Sequence, residues 1–293
     1  MLVQLLANGI LSGCIYALIA LGFGLIYTTT RTFHFAHGAI YTLSAYLFYT
    51  FYSLYAWPVW VAVILATAAA ALAGILIDRV IYLPLIRRGS SRLVPLLSST
   101  GLYIVIVNFI AIVFGNNTKI PSPGVQPTLV IGTLVLTRSQ LLALGSFVVL
   151  FVFVLVMLRT TSLGRKIRAL RDDPELVSAL GINPLKTRTI VFGFGSSLAA
   201  IAAIISALDV GIDPNIGLAA TLTSAVALFV GGVGILEGAV FGAFLLGTLQ
   251  ALTIWQVSAR WQDAVTFLLL LFFLTFRPQG VLGRRHRSDE VAV

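Results

Sequence analysis

Leu141-Leu142-Ala143-Leu144-Gly145-Ser146-Phe147-Val148-Val149-Leu150-Phe151-Val152-Phe153-Val154-Leu155-Val156-Met157-Leu158 is an uncharged, almost wholly apolar run that stops at Arg159. A helix of roughly 20 such residues crosses the hydrocarbon core of a bilayer, whereas the helix of a soluble core is polar on one face. Similar blocks recur along the chain, and spans are expected near residues 5–28, 36–56, 58–80, 93–115, 138–158, 189–209, 219–235, 238–256 and 262–276. The composition agrees: 59% of the 293 residues are hydrophobic, 10% are charged and the mean hydropathy is +1.02. Soluble domains carry about 25% charge. The predicted class is an all-α, polytopic transmembrane bundle of about nine spans. Trp57-Pro58 and Gly231-Gly232-Val233-Gly234 also read as hairpins that turn inside the membrane, so eight or ten spans remain open. The whole chain, 1–293, reads as one transmembrane domain.

Charge sets the orientation. Sixteen of the 19 basic residues fall at Arg31 and in 79–92, 159–188 and 277–287, leaving Lys119, Arg138 and Arg260 for the opposite side. The positive-inside rule then puts the N-terminus outside and the tail Arg284-Arg285-His286-Arg287 in the cytoplasm. This distribution accounts for the net charge of +9 without a nucleic-acid partner. Cys14 is the only cysteine, which excludes a disulfide framework and a Cys-based metal site, and it reads as a packing residue. The block at 5–28 has no basic stretch before it and no small-residue cleavage site after it, so it is expected to be a retained helix rather than a signal peptide.

Two connections are long enough for a surface role. The outer one, 116–137, joins turn residues (Asn116 to Gly124) to a β-prone stretch from Thr128 to Thr137 and predicts a small hairpin. The inner one contains Arg171-Asp172-Asp173-Pro174-Glu175-Leu176-Val177-Ser178-Ala179-Leu180-Gly181-Ile182-Asn183-Pro184. Asp173 suits an N-cap and Pro174 the first helical position. Gly181 suits the left-handed residue past the end, and Pro184 prevents continuation. The spacing predicts about two turns over 174–180, too few to be stable alone, with Leu176, Val177 and Leu180 on one face. Docking on a cytoplasmic partner and resting on lipid headgroups are the two readings of this element.

Phe33-His34-Phe35-Ala36-His37-Gly38-Ala39, the loop from Asp172 to Pro184, Gly231-Gly232-Val233-Gly234-Ile235-Leu236-Glu237-Gly238-Ala239 and the closing Arg277-Pro278-Gln279-Gly280-Val281-Leu282-Gly283 resemble the permeases of branched-chain amino acid ABC importers. That family also includes permeases for urea and short amides. The likeness runs nearly end to end. It implies an ABC importer permease fold in which Asp172, Asp173, Pro174, Glu175, Leu176, Val177, Ala179, Leu180, Gly181, Ile182 and Asn183 form the coupling helix seated in an ATPase groove. It also implies a bacterial inner-membrane location and several partners: a second permease, two ATPase subunits that hold ATP and Mg²⁺, and an external substrate-binding protein. No P-loop occurs here, so no cofactor is expected in this chain and ATP hydrolysis is expected elsewhere.

Ionisable residues at membrane depth are costly and mark candidate pathways. His34 and His37 stand three apart, on one face of whatever helix begins there; as a metal pair they lack ligating neighbours, and the preferred reading is that they orient the helix start. Gly38 and Tyr41 follow them. Gly232, Gly234, Glu237 and Gly238 form a second pathway or gate set. The parallel of His37-Gly38-Ala39 with Glu237-Gly238-Ala239 hints at an internal repeat, and repeated transporter halves place broken helices at the substrate route. Arg31 and Glu237 read either as a gate pair or as two separately solvated charges. Asp209, Asp213 and Asn215 are expected at an outer rim that receives the binding protein, with an ordinary solvated turn as the alternative.

Three alternative functions compete with this reading. An intramembrane enzyme needs converging nucleophile, base or metal ligands, and three histidines, one of them in the tail, supply few. A secondary transporter couples to ions through buried carboxylates, and Asp78, Asp209, Glu237 and Asp263 all fall near expected span ends. A permease for urea or short amides shares the family resemblance and differs only in cargo.

Overall fold

The computed structural model describes residues 2–91, 93–122, 127–173, 177–178 and 181–283. Its helices in chain order are α1 (Leu2–Thr30), α2 (His37–Tyr49, continued by a π-helical turn, Thr50–Leu54) and α3 (Val59–Arg87, wound as π-helix over Asp78–Tyr82). They continue with α4 (Leu93–Phe114), α5 (Arg138–Thr160), α6 (Ser162–Asp172), α7 (Pro184–Val210), α8 (Ile216–Gly231), α9 (Leu236–Gln256) and α10 (Gln262–Phe276). Seven are long and apolar enough to cross a membrane. The protein is a polytopic membrane protein with an all-helical bundle. Of the nine expected spans, 36–56 and 219–235 are held by the short helices α2 and α8, for a reason given below.

α1 forms the axis of the bundle, buried along most of its length between α9 and α7, while α8 and α2 complete the centre. α3, α4, α5 and α10 lie around it with outward faces of Ile, Leu, Val and Phe. A soluble protein cannot expose that much apolar surface; a bilayer accepts it.

The hairpin expected at 128–137 forms: β1 (Thr128–Ile131) pairs antiparallel with β2 (Leu134–Thr137), and Gly132 takes the left-handed φ of +60° that the two-residue turn requires. Thr137 then starts α5 with a capping box, exchanging side-chain hydrogen bonds with Gln140. The hairpin is pinned to α1 because the Gln4 amide both donates to and accepts from the Val135 backbone at 2.9 Å.

The inner loop holds a helix that the sequence reading did not separate. α6 runs amphipathically from its Thr161 cap, with Gly164, Ile167 and Leu170 buried, Arg165 and Lys166 exposed, and Arg168 and Arg171 half-buried. After Asp173, whose backbone is extended, Val177 N–H donates to Asp173 C=O. Gly181 (φ +73°) then donates to Ser178 C=O and Ile182 to Val177 C=O, the paired bonds of a glycine-terminated helix end. The predicted start at Asp173 and stop at Gly181 are thus borne out. Pro174, Glu175, Leu176, Ala179 and Leu180 lie outside the described residues. Two expectations need correction. Val177 is 1% exposed, so it packs into this chain and is not on a free docking face. Asn183 belongs to the next helix: its side chain accepts from Leu185 and Lys186 N–H and caps α7, with Pro184 at the first position. α7 therefore starts five residues before the span expected at 189. Asn183→Ala removes that cap and is expected to destabilise the purified protein by about 1 kcal/mol, read as a lower midpoint of thermal unfolding.

Candidate functional site

α2 and α8 are short because both begin inside the bundle. After Thr30 the chain folds back along α1: the Phe33 ring meets Phe23 edge-on at 5.1 Å, and the His37 ring, in the first turn of α2, lies 5.9 Å from that same Phe23. Phe23 is seven residues from the end of α1, so α2 starts about 10 Å inside the bundle at 1.5 Å per residue. From the opposite end, Ile212 bridges Lys119 and the chain then dips inward to open α8. The two helix starts meet. A Cβ on Gly38 would lie 2.3 Å from Gly217 C=O, and one on Gly217 would lie 2.0 Å from Gly38 C=O. Only glycine at both positions lets these backbones touch. The parallel expected between Gly38 and Gly238 takes a different form: Gly38 receives the first turn of α8, while Gly238 receives Gly231 C=O from its last turn.

Around this crossing polar groups are buried. His34 Nδ1 lies 2.8 Å from Tyr82 Oη, Tyr82 donates to Ser99 Oγ at 2.8 Å, and Ser99 Oγ accepts from Ala36 N–H at 2.8 Å. Because Tyr82 gives its proton to Ser99, its oxygen acts as acceptor toward His34, which puts the imidazole proton on Nδ1. The chain of bonds ties the start of α2 to α3 and α4, so the expected orienting role of His34 has a visible means. His34 Nε2, both nitrogens of His37 and the hydroxyls of Tyr46 and Tyr103 make no hydrogen bond of normal geometry among the described residues, although His37 lies beside the Ile19 backbone and Tyr103 beside that of Leu218. Tyr41 is buried on α2 one turn beyond His37. Buried polar groups without partners are rare and carry a cost, and they concentrate here.

Next to the crossing is a contact absent from the sequence reading. Asp78, 1% exposed and placed on the π-helical turn of α3, accepts from Arg188 Nε of α7 at 2.6 Å. The Arg188 guanidinium also sits 5.2 Å above the Phe192 ring and donates to Thr32 Oγ1. π-Turns are frequent at functional positions. Asp78 is the only buried carboxylate among the described residues, and its partner neutralises it.

The second expected set, Gly232, Gly234, Glu237 and Gly238, lies at the basic end in the α8–α9 turn, and no hydrogen bond or ring contact joins it to His34 or His37 among the described residues. Gly232 (φ +118°) and Gly234 (φ +96°) shape the turn, which closes on Val281 and Leu282 through backbone bonds to Val230 and Gly231. The partner of Glu237 is Arg159 of α5, at 2.8 Å, so the Arg31–Glu237 pair is not formed. Arg171 donates to Gly234 C=O and pairs with Asp172. These groups surround a cavity of about 820 Å³ that Arg31 also lines. At the other end Asp209 accepts from Ser139 and Thr137, tying α7 to the start of α5, and Asp213 accepts from Asn215 N–H in a turn that leaves Asn215 exposed. Asp209 is therefore structurally engaged, while Asp213 is half-buried and Asn215 exposed.

The sequence pattern of the family described as "Branched-chain amino acid transport system / permease component" matches residues 5–274. The high-affinity branched-chain amino acid transport system permease protein BraD of Pseudomonas aeruginosa is 34% identical, covering 96% of this chain and 95% of that protein. LivH of Escherichia coli K12, named likewise, is 31% identical at the same coverage. The solved structure of PsaBC from Streptococcus pneumoniae in complex with Fab superposes with a TM-score of 0.53 at 12% identity, over 93% of this chain and 91% of that one, a likeness of fold alone. With the bundle, the inner-loop helix end and the end-to-end sequence match in hand, this chain belongs to the family of branched-chain amino acid transport system permease components.

Proposed function

We propose that this protein is the membrane subunit through which an ABC importer passes branched-chain amino acids, working with a second permease, two ATPase subunits and an external binding protein. The observation that supports this reading most is the likeness to BraD and LivH over nearly the full length of all three chains. The bundle then sits in the cytoplasmic membrane with its basic end inward, as its charge asymmetry favours. ATP and Mg²⁺ are held by the ATPase subunits.

In this reading the segment from Asp173 to Ile182 receives the motion of the ATPases. Asn183 and Pro184 join it directly to the start of α7, and α7 carries Arg188, the partner of Asp78 on α3. A push on the segment thus reaches, within two turns of helix, the group of residues that holds the start of α2. The unpartnered nitrogens of His34 and His37 at that point gain partners when the helix starts separate and admit cargo or water. The walls on either side are Ile, Leu, Val and Phe, suited to an aliphatic side chain. A proton- or ion-coupled secondary transporter is less well supported, since its coupling carboxylate is needed free and Asp78 is bound to Arg188.

The test is uptake in cells that carry the whole system and lack other importers. Leucine, isoleucine and valine are expected to enter in an ATP-dependent way and to compete with one another. Uptake of urea or short amides in their place would reassign the cargo, and uptake that persists without the ATPases would overturn the importer reading.

A further inference from the structure

The cavity at the basic end has a composition that transport of a neutral zwitterion does not explain. Four guanidinium groups line it, those of Arg31, Arg159, Arg168 and Arg171, against the two carboxylates of Asp172 and Glu237. Arg159 and Arg171 are paired with those carboxylates, whereas Arg31 and Arg168 make no ion pair or side-chain hydrogen bond among the described residues. Arg31 is also held in a left-handed backbone conformation, φ +53°, which is unusual for a residue with a side chain. The uncapped N-terminus of α9 opens on the same space and adds partial positive charge.

Leu155, Leu158 and Leu236 supply an apolar side to the cavity. One turn along α9 from Glu237, Phe241 is 46% exposed and presents an apolar side chain outside the charged floor. We propose that this cavity binds the phosphate group of an anionic amphiphile, the headgroup of an acidic phospholipid from the adjoining leaflet, with its chains on the Phe241 face. Planar guanidinium forks suit phosphate oxygens, and basic recesses between helices at the membrane boundary are recurrent headgroup sites. Occupancy would brace α5 and α6 against the α8–α9 turn, beside the segment assigned to coupling.

Native mass spectrometry of the full complex, equilibrated with phosphatidylglycerol or phosphatidylcholine, tests the proposal. Wild type is expected to retain phosphatidylglycerol about tenfold better than phosphatidylcholine. Arg31→Gln with Arg168→Gln is expected to abolish that preference. Arg31→Lys with Arg168→Lys should keep most of it, and Arg165→Gln with Lys166→Gln, the same charge loss outside the cavity lining, should leave it intact. Equal retention of the two lipids by wild type, or the same loss in the Arg165/Lys166 control, would overturn the site. Displacement of the lipid by inorganic phosphate would support the phosphate site and overturn its lipid source.

Discussion

Gly38→Val is expected to remove folded protein from the membrane, or to leave a form that has lost uptake. The new side chain has nowhere to go. Its Cβ alone would stand 2.3 Å from Gly217 C=O and 2.4 Å from Thr221 Oγ1, and a backbone carbonyl inside a packed helix cannot rotate away as a surface side chain can. Overpacking usually costs about 1–3 kcal/mol, and separating two helix backbones belongs at or beyond the top of that range. Gly101→Ala on α4 and Gly145→Ala on α5 are the controls: a Cβ there meets nothing within 4 Å, and both should express and transport like wild type. Yield of monodisperse protein and its thermal midpoint read the effect. If Gly38→Val matched these controls, α2 and α8 would not cross as described.

Breaking the buried ion pair should have an effect of similar size. Asp78→Ala leaves Arg188, only 11% exposed, without its carboxylate, and Arg188→Ala leaves Asp78 charged in a site that is 1% exposed. Removing one partner of a buried pair costs about 3–5 kcal/mol, whereas replacing both by apolar residues of similar volume is often close to neutral. Each single variant should therefore unfold at markedly lower temperature, and Asp78→Leu with Arg188→Met should recover most of the loss. Uptake separates stability from function. If the double variant is stable and still transports, the pair is a structural clasp; if it is stable and inactive, the pair carries the motion from α7 to α3.

The parts of this fold legible in the sequence are those written in local chemistry. The Leu141–Leu158 run made a span visible, the β-prone stretch from Thr128 to Thr137 made the hairpin visible, and Asp173 with Gly181 marked both ends of the inner-loop element. α6 is written in the sequence too, since Leu163, Ile167 and Leu170 recur at helical spacing after Thr161, although its dense basic residues read equally as an orientation signal. What stayed hidden depends on residues far apart in the chain. Asp78 and Arg188 are separated by 110 positions, and neither has a local pattern that names the other. Glu237 was recognised as a candidate, yet its partner, Arg159, is decided by how α5 packs against the α8–α9 turn. Gly38 stands out in the sequence beside the two histidines; that it meets Gly217 rather than repeating Gly238 follows from two helices starting at depth, which hydropathy does not report.

The central claim is that this chain works as one subunit of an ATP-driven importer, and co-purification tests it most directly. The tagged chain, taken from its native membrane in mild detergent and examined by mass spectrometry, is expected to bring down two ATPase subunits and a second permease, with ATP hydrolysis stimulated by the loaded binding protein. Recovery of the intact, folded chain alone, with no ATPase and no nucleotide hydrolysis, would contradict the account.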